Sequence, residues 1–294
     1  MVKKYKKIMY NEVEILPSVF DPLGLFPTEI GIKPFLKWAG GKTQLIPELV
    51  KYTPKVFNKY IEPFIGGGAF YFFLNPTNAV IGDLNSELII TYKAIKNSVE
   101  DVISHLESFK NNETFYYNIR AVDTEKLSNI ERAARLIYLN KTCFNGLYRV
   151  NKKGKFNVPY GKRTGSFLDS EGLRNASEFL QNTIIEFADY TETLKKYARK
   201  GDFIFLDPPY YPVGKYSDFK RYTKEFFYHD DQIALKEEFE RLVNMGCHVI
   251  LTNSEHPVIL ELYKNFEIKR IETKRLINSD ASKRKGIDII VIGS

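Results

Sequence analysis

The run Gly201 to Tyr211, GDFIFLDPPYY, restricts the possible folds more than any other stretch of the chain. Phe203 to Leu206 is short and wholly apolar, the pattern of a strand buried on both faces of a parallel sheet. Proline cannot donate to a ladder, so the strand must stop where Pro208 and Pro209 enter. Asp207 is thereby fixed at the carboxyl end of a core strand, on a stiff turn, with Tyr210 beside it. Open α/β sheets place their ligands along that edge. A held carboxylate and a proline carbonyl can accept hydrogen bonds from an amino group while the phenol ring covers a flat base. Asp-Pro-Pro is also ordinary turn punctuation after a strand, so the remaining segments have to decide.

They continue an α/β rhythm. Tyr60 to Phe70, YIEPFIGGGAF, predicts a short strand, a glycine turn and a helix, AFYFFL. The glycines allow close approach to the backbone, and the helix start offers free N–H groups. Asn78 to Gly82 reads as the next strand, and Asp83 follows it, where such folds hold ribose hydroxyls. Asp83 also fits the start of the helix LNSELIITYKAIK. Upstream, Lys33 to Leu49 carries Trp38, Gly40-Gly41 and Lys42. Gly41-Lys42-Thr43 is not a nucleotide phosphate loop, because Leu36 stands where that loop needs its first glycine. A turn presenting Lys42 to a carboxylate and Trp38 for packing fits better. Later segments predict strands at Thr183 to Phe187 and His248 to Leu251, helices at Thr191 to Lys200 and Asp230 to Asn244, and a closing antiparallel pair, Phe266 to Ile271 with Ile287 to Ile292.

Val99 to Asn140 interrupts this rhythm with helical patterning, as an inserted subdomain would. The segment Lys141 to Arg163, KTCFNGLYRVNKKGKFNVPYGKR, follows at once. It contains Lys141, Arg149, Lys152, Lys153, Lys155, Lys162 and Arg163 and no acid, so it carries the whole formal net charge of +7. Leu147 to Val150 and Lys155 to Val158 flank Asn151-Lys152-Lys153-Gly154, a hairpin loop with glycine suited to positive φ. With Phe144, Tyr148, Phe156 and Tyr160 interleaved, this hairpin is expected to enter a nucleic-acid groove. The long loop Tyr211 to His229 and the smaller basic loop Lys283 to Lys285 add aromatic and positive groups, the first as a lid, a binding loop or a mobile segment. FDPLGLFPTEIG near the start reads as an irregular strap across the core.

The 44% hydrophobic and 27% charged fractions are those of a globular protein. Cys143 and Cys247 stand far apart, which predicts no disulfide framework, no zinc site and a cytoplasmic setting. No run reaches membrane-spanning length, and the basic start lacks the apolar segment of a secretory signal.

FLKWAGGKTQL, YIEPFIGGGAF, GDLNSELI, FNGLYRVNKKGKFNVPYG and FIFLDPPY, in that order, resemble the DNA adenine methyltransferases of the Dam and DpnII type. The resemblance covers about residues 33 to 294. It implies a Rossmann-like class I methyltransferase sheet, α/β and mostly parallel with an antiparallel closing strand. The core would comprise residues 33–95 and 183–294, with a helical and hairpin recognition domain at 96–182 and an extension at 1–32. S-adenosylmethionine is the implied methyl donor, with no metal. Trp38, Lys42, Phe64, Gly66, Gly67, Gly68, Asp83 and Asp207 would line its site. Asp207, Pro208, Pro209 and Tyr210 would form the catalytic loop. Lys37, Phe144, Asn145, Leu147, Arg149 and Pro159 would contact duplex DNA at GATC. The implied partners are double-stranded DNA and a separately encoded restriction endonuclease, with the enzyme a monomer or weak dimer. Two rival readings are an RNA amino-methyltransferase and a DNA-binding module without catalysis. The cysteines sit in no proline-cysteine motif of the kind used for cytosine carbon-5 chemistry.

Overall fold

A computed structural model of the protein describes residues 8–10, 13–15, 32–38, 40–151, 153–162, 164–212, 227, 229–274 and 285–294. The whole strap near the start, most of the long loop after Tyr211, and Lys283-Arg284 lie outside the described residues.

Strands β1 (Ile8–Tyr10) and β2 (Val13–Ile15) form a small antiparallel pair. The remaining strands make one seven-stranded sheet. They are β3 (Tyr60–Glu62), β4 (Ala79–Asp83), β5 (Thr183–Phe187), β6 (Phe203–Leu206), β7 (His248–Ser254), β8 (Glu267–Lys274) and β9 (Lys285–Gly293). Their spatial order is β5-β4-β3-β6-β7-β9-β8. The first five run parallel, and β9 pairs antiparallel with both β7 and β8. The chain moves outward from β3 to β5, then returns to lay β6 against the other side of β3. The strand order therefore reverses between β3 and β6, and a crevice opens there at the carboxyl ends.

The apolar run of β6 is buried along its whole length. Phe203 and Phe205 join one core cluster, with Tyr60, Phe70 and Ile81. Ile204 and Leu206 join the cluster on the opposite face, with Ile61, Val80 and Val249. Each such side chain contributes roughly 1.5–3 kcal/mol on full burial, which secures the strand that carries Asp207.

Helices cover both faces. A single turn, α1 (Ile46–Leu49), follows the Gly40-Gly41 segment, and α2 (Ala69–Leu74) follows the glycine turn. Helix α3 (Ser86–Glu107) starts on Asn85, whose side chain accepts from Leu88 N, and breaks its helical geometry at Ser98 (φ −149°). The part of α3 beyond Ser98 and helices α4 (Glu113–Ala121) and α5 (Asn129–Thr142) occupy the helical stretch Val99 to Asn140, with a reciprocal cap between Ser128 and Glu131 at the start of α5. Then come α6 (Ser170–Leu180), α7 (Tyr190–Tyr197), α8 (His229–Met245) and α9 (Pro257–Leu262). The sheet, its direction and its closing pair are those expected from the sequence.

The hairpin differs from its expected form. The stretches flanking Asn151 to Gly154 are held by isolated bridges, Val150 to Phe156 and Cys143 to Tyr160, and not by a continuous ladder. Gly154 does adopt the expected positive φ, +74°. Tyr148 and Phe156 are buried, and Tyr160 donates its hydroxyl to Asn111 Oδ1. Of the four rings expected to interleave on the hairpin surface, Phe144 alone is strongly exposed, at 51%.

Candidate active site

The end of β6 brings together residues from three segments. Lys42 Nζ lies 2.7 Å from Asp207 Oδ1, and the lysine is buried despite its charge. Lys42 also donates to the Gly40 carbonyl and stands 4.5 Å from the centre of the Tyr210 ring. Thr252, on β7, donates its hydroxyl to the same Asp207 oxygen at 2.6 Å. A carboxylate at a strand end is thus fixed by a cation from the Gly40-Gly41 turn and a hydroxyl from the neighbouring strand.

The turn after Asp207 is held from behind by a buried polar network. Gln232 Nε2, on α8, donates to the Pro209 carbonyl at 3.1 Å. Asn253 donates to Gln232 Oε1 and accepts from Tyr211 N. Ser254 Oγ donates to the Tyr211 carbonyl. All three side chains are essentially inaccessible to solvent. Satisfied buried networks of this kind stiffen what they contact, and this one grips the backbone on both sides of Tyr210.

Asp83 ends β4. Its Oδ2 accepts from Gly66 N at 3.1 Å and its Oδ1 from Asn85 N at 2.9 Å. Burial outweighs these donors and pushes its pKa up to about 6. The carboxylate therefore ties the end of β4 to the glycine turn, while Asn85 caps α3. Gly66 and Gly68 have positive φ, +47° and +68°. A Cβ on Gly66 or on Gly67 would stand 2.9 Å from an atom of Trp38. These glycines admit the indole against the turn. Trp38 stacks in turn on Tyr148, with ring centres 4.7 Å apart. Phe64 lies with the opposite core cluster, stacked on Tyr190 and edge-on to Phe227.

Beside the crevice, Phe144 and Asn145 stand exposed on a tight turn, with positive φ at Asn145 (+55°) and Gly146 (+64°). Phe144 N donates to the Pro159 carbonyl, which closes the base of the hairpin. Leu147 is half-buried and Pro159 exposed. Arg149 donates through Nε to Asn157 Oδ1 at 2.8 Å, so its guanidinium is anchored within the hairpin. Lys37 is exposed nearby. Burial pushes the Lys141 ammonium pKa down, and Lys37 and Lys33 push it the same way, a sign of converging positive charge.

Reading the sequence residue by residue did not single out Thr252, Gln232, Asn253 or Ser254. The polar triplet after the apolar part of β7 was the available signal for three of them, and Gln232 gave none. Glu62 at the end of β3 was also missed. It is buried and accepts from Tyr60 Oη at 2.7 Å. Burial holds its carboxyl well above the usual range; the Tyr60 bond opposes that, nearby Asp207 adds to it and Lys42 opposes it.

Residues 38–277 match the family described as D12 class N6 adenine-specific DNA methyltransferase. The type II methyltransferase M1.LlaDCHI of Lactococcus lactis is 41% identical over 273 residues, covering 90% of this chain and 96% of that one. The type II methyltransferase M.MjaIII of Methanocaldococcus jannaschii is 41% identical over 278 residues, covering 86% and 96%. The DNA adenine methylase of Escherichia coli K12 is 29% identical over 258 residues, covering 86% and 92%. The sheet is that of a class I methyltransferase, and membership of such a family implies use of S-adenosylmethionine. By both the match and its extent, the chain belongs to the D12 class of N6 adenine-specific DNA methyltransferases.

Proposed function

We propose that the protein methylates the exocyclic amine of adenine within GATC in duplex DNA, after the target base has left the helix. The observation that carries this reading is Asp207, presented at the strand-order reversal and fixed through Oδ1 by Lys42 and Thr252. S-adenosylmethionine, when bound, supplies an electrophilic methyl group. The residues present suit such a donor. Asp83 offers a carboxylate to ribose hydroxyls, Lys42 a cation to the donor's carboxylate, and Trp38, Phe64 and glycines 66 to 68 the apolar and backbone walls.

Adenine's amino nitrogen is a weak nucleophile because its lone pair is delocalised into the ring. Asp207 and the Pro208 carbonyl each accept one N–H, which draws the nitrogen toward tetrahedral geometry. The fixed carboxylate then stabilises the positive charge that grows on that nitrogen, which sheds one proton as it takes the methyl group and so ends as a neutral secondary amine. The clamp on Pro209 and Tyr211 supplies the alignment that such a step needs. Extruding the base costs a few kcal/mol, and stacking on Tyr210, worth roughly 1–3 kcal/mol, offsets part of it.

Residues 96–182 form the recognition unit in this reading. Phe144 enters the base stack, and Asn145, Leu147, Arg149, Pro159 and Lys37 meet the duplex. Arg149 is held in the hairpin by Nε on Asn157 Oδ1 and by a longer bond from a terminal nitrogen to the Asn157 carbonyl; in this reading it turns to a guanine edge, a contact worth roughly 1–3 kcal/mol of discrimination. The type II relatives support a separately encoded restriction endonuclease as partner.

The test is modified-base sequencing of DNA from cells making the protein or its Asp207→Ala variant. N6-methyladenine is expected at GATC with the former and absent with the latter. Methylation at another sequence overturns GATC, and persistent methylation by the variant overturns the role of Asp207. Methyl transfer to RNA but not to duplex DNA overturns the substrate.

A further inference from the structure

Asn140 lies in the last turn of α5 and is fully buried. Asparagine is a poor helix-interior residue, since its amide competes for backbone bonds, and a buried amide is costly unless it is paired. Here the amide links two loops. Its Oδ1 accepts from Lys37 N at 2.8 Å, and its Nδ2 donates to the Lys37 carbonyl at 2.6 Å. The same Nδ2 donates to the Gly146 carbonyl at 3.3 Å. One side chain thus closes on both backbone groups of the residue before Trp38 and on the turn that presents Phe144 and Asn145.

Two further contacts join the same pair of loops. Trp38 stacks on Tyr148. Gly146 lies so close to Lys37 that a Cβ there would stand 2.6 Å from the lysine side chain. On the methyl-transfer reading above, these loops serve different ligands. Trp38 and Lys42 face the methyl donor, with Lys37 at the edge of that loop nearest the duplex, and residues 144 to 149 face the duplex.

Resting on that reading, we infer that Asn140 is a positioning residue that couples methyl-donor binding to duplex binding. A ligand that orders one loop orders the other through the shared amide, so the second ligand meets a loop already set. The coupling must be the same in both directions.

The test measures binding of S-adenosylhomocysteine, the unreactive product, by calorimetry with and without a duplex carrying the target site. The duplex is titrated in turn with and without S-adenosylhomocysteine. In the wild-type protein each ligand should tighten the other by at least about fivefold, by equal factors. Asn140→Asp keeps the Oδ1 acceptor and loses both Nδ2 donors. It should bring that factor to within about twofold of one while each ligand alone still binds. A variant that binds each ligand and keeps the wild-type factor overturns the inference. A second measurement needs no substitution: S-adenosylhomocysteine alone should slow hydrogen exchange at the Gly146 amide, on the loop that meets no part of the donor in this reading, and unchanged exchange there overturns the inference. A wild-type protein that binds both ligands without coupling overturns the role of Asn140 and leaves methyl transfer standing. One that binds neither ligand overturns both.

Discussion

Thr252 and Lys42 meet on one oxygen. The threonine hydroxyl is 2.6 Å and the lysine ammonium 2.7 Å from Asp207 Oδ1. The two donors come from chain segments more than two hundred residues apart, yet they fix a single carboxylate orientation. Their contributions are separable because one donor is neutral and the other carries charge.

Thr252→Val removes the neutral donor and keeps the shape of the side chain. A hydrogen bond to a charged group is worth about 1.5–3 kcal/mol, so kcat for methyl transfer should fall by roughly ten- to a hundredfold. KM for DNA should stay nearly constant, since the lost bond aims the proposed catalytic carboxylate and does not hold the duplex. Thr252→Ser should retain most of the activity. Steady-state transfer of labelled methyl groups checks this, and a valine variant with wild-type kcat removes Thr252 from the site.

Lys42→Met removes the charged donor. Breaking a fully buried ion pair costs about 3–5 kcal/mol. The Asp207 side chain keeps 18% exposure, so a loss nearer about 2 kcal/mol is expected. Urea denaturation should show a lower midpoint at an unchanged slope. Affinity for S-adenosylhomocysteine should fall as well, because its carboxylate loses the proposed cation. Unchanged donor affinity would separate Lys42 from the donor site and leave it as a support for Asp207.

How much of this was legible in the sequence follows from the range of each interaction. Phe203 to Leu206, Thr183 to Phe187 and Ala69 to Leu74 form the elements expected, because short apolar runs and adjacent Pro or Gly are local signals. The position of Asp207 at the end of a buried strand was legible in the same way. Gln232, Thr252 and Asn140 were not, because their partners lie 23, 45 and 103 residues away and no local pattern marks them. The hairpin shows the limit of alternation. It separates two faces without saying which is buried, and stacking of Tyr148 on Trp38 and packing of Phe156 against Tyr148 turn those rings inward.

Asp83 should trade stability for binding. Its pKa rises from 3.8 to about 6 in the fold because burial disfavours the charge. The folded protein therefore holds this proton more tightly than the unfolded chain does. The resulting stability is fully present below pH 3.8 and is lost as pH rises through about 6. Asp83→Asn should accordingly raise the thermal midpoint at pH 8 relative to wild type. It should also weaken S-adenosylhomocysteine binding, since an amide accepts more weakly than a carboxylate from ribose hydroxyls. In the wild-type protein, donor affinity should decline as pH falls below about 6, where Asp83 becomes protonated. A flat profile between pH 5 and 8, set as roughly the range in which this group changes charge, would detach Asp83 from the donor.

Gly67→Ala tests the packing of the glycine turn through the protein's single tryptophan. The added methyl would stand 2.9 Å from Trp38 Cβ, an atom next to the backbone that cannot swing aside. Either the turn or the indole must shift, at a cost of about 1–3 kcal/mol for overpacking. Trp38 emission should change in the variant, and because the indole stacks on Tyr148 the disturbance should reach the hairpin. S-adenosylhomocysteine should perturb Trp38 emission in the wild-type protein and do so less in the variant. Stability and emission both matching wild type would mean that the turn has room for a side chain, against the contact distances.

Gln232→Leu isolates the clamp behind the turn that follows Asp207. The substitution keeps much of the volume but removes the donor to the Pro209 carbonyl and the acceptor for Asn253 Nδ2. Both groups are then left without this partner, at about 1–3 kcal/mol each, so the variant should unfold at lower urea concentration. The sharper expectation is kinetic. With Pro209 released, Tyr210 and Asp207 lose part of their alignment, and misplacement by about 1 Å is enough to cost on the order of a hundredfold. Duplex affinity should change far less, because Gln232 sits on α8 and the proposed DNA contacts come from Lys37 and the 144 to 159 segment. Gln232→Glu restores an acceptor for Asn253 but no donor for Pro209 when ionised, so it should recover stability only in part and kcat hardly at all. Recovery of kcat in that variant would show that the bond to Asn253, and not the grip on Pro209, sets the turn.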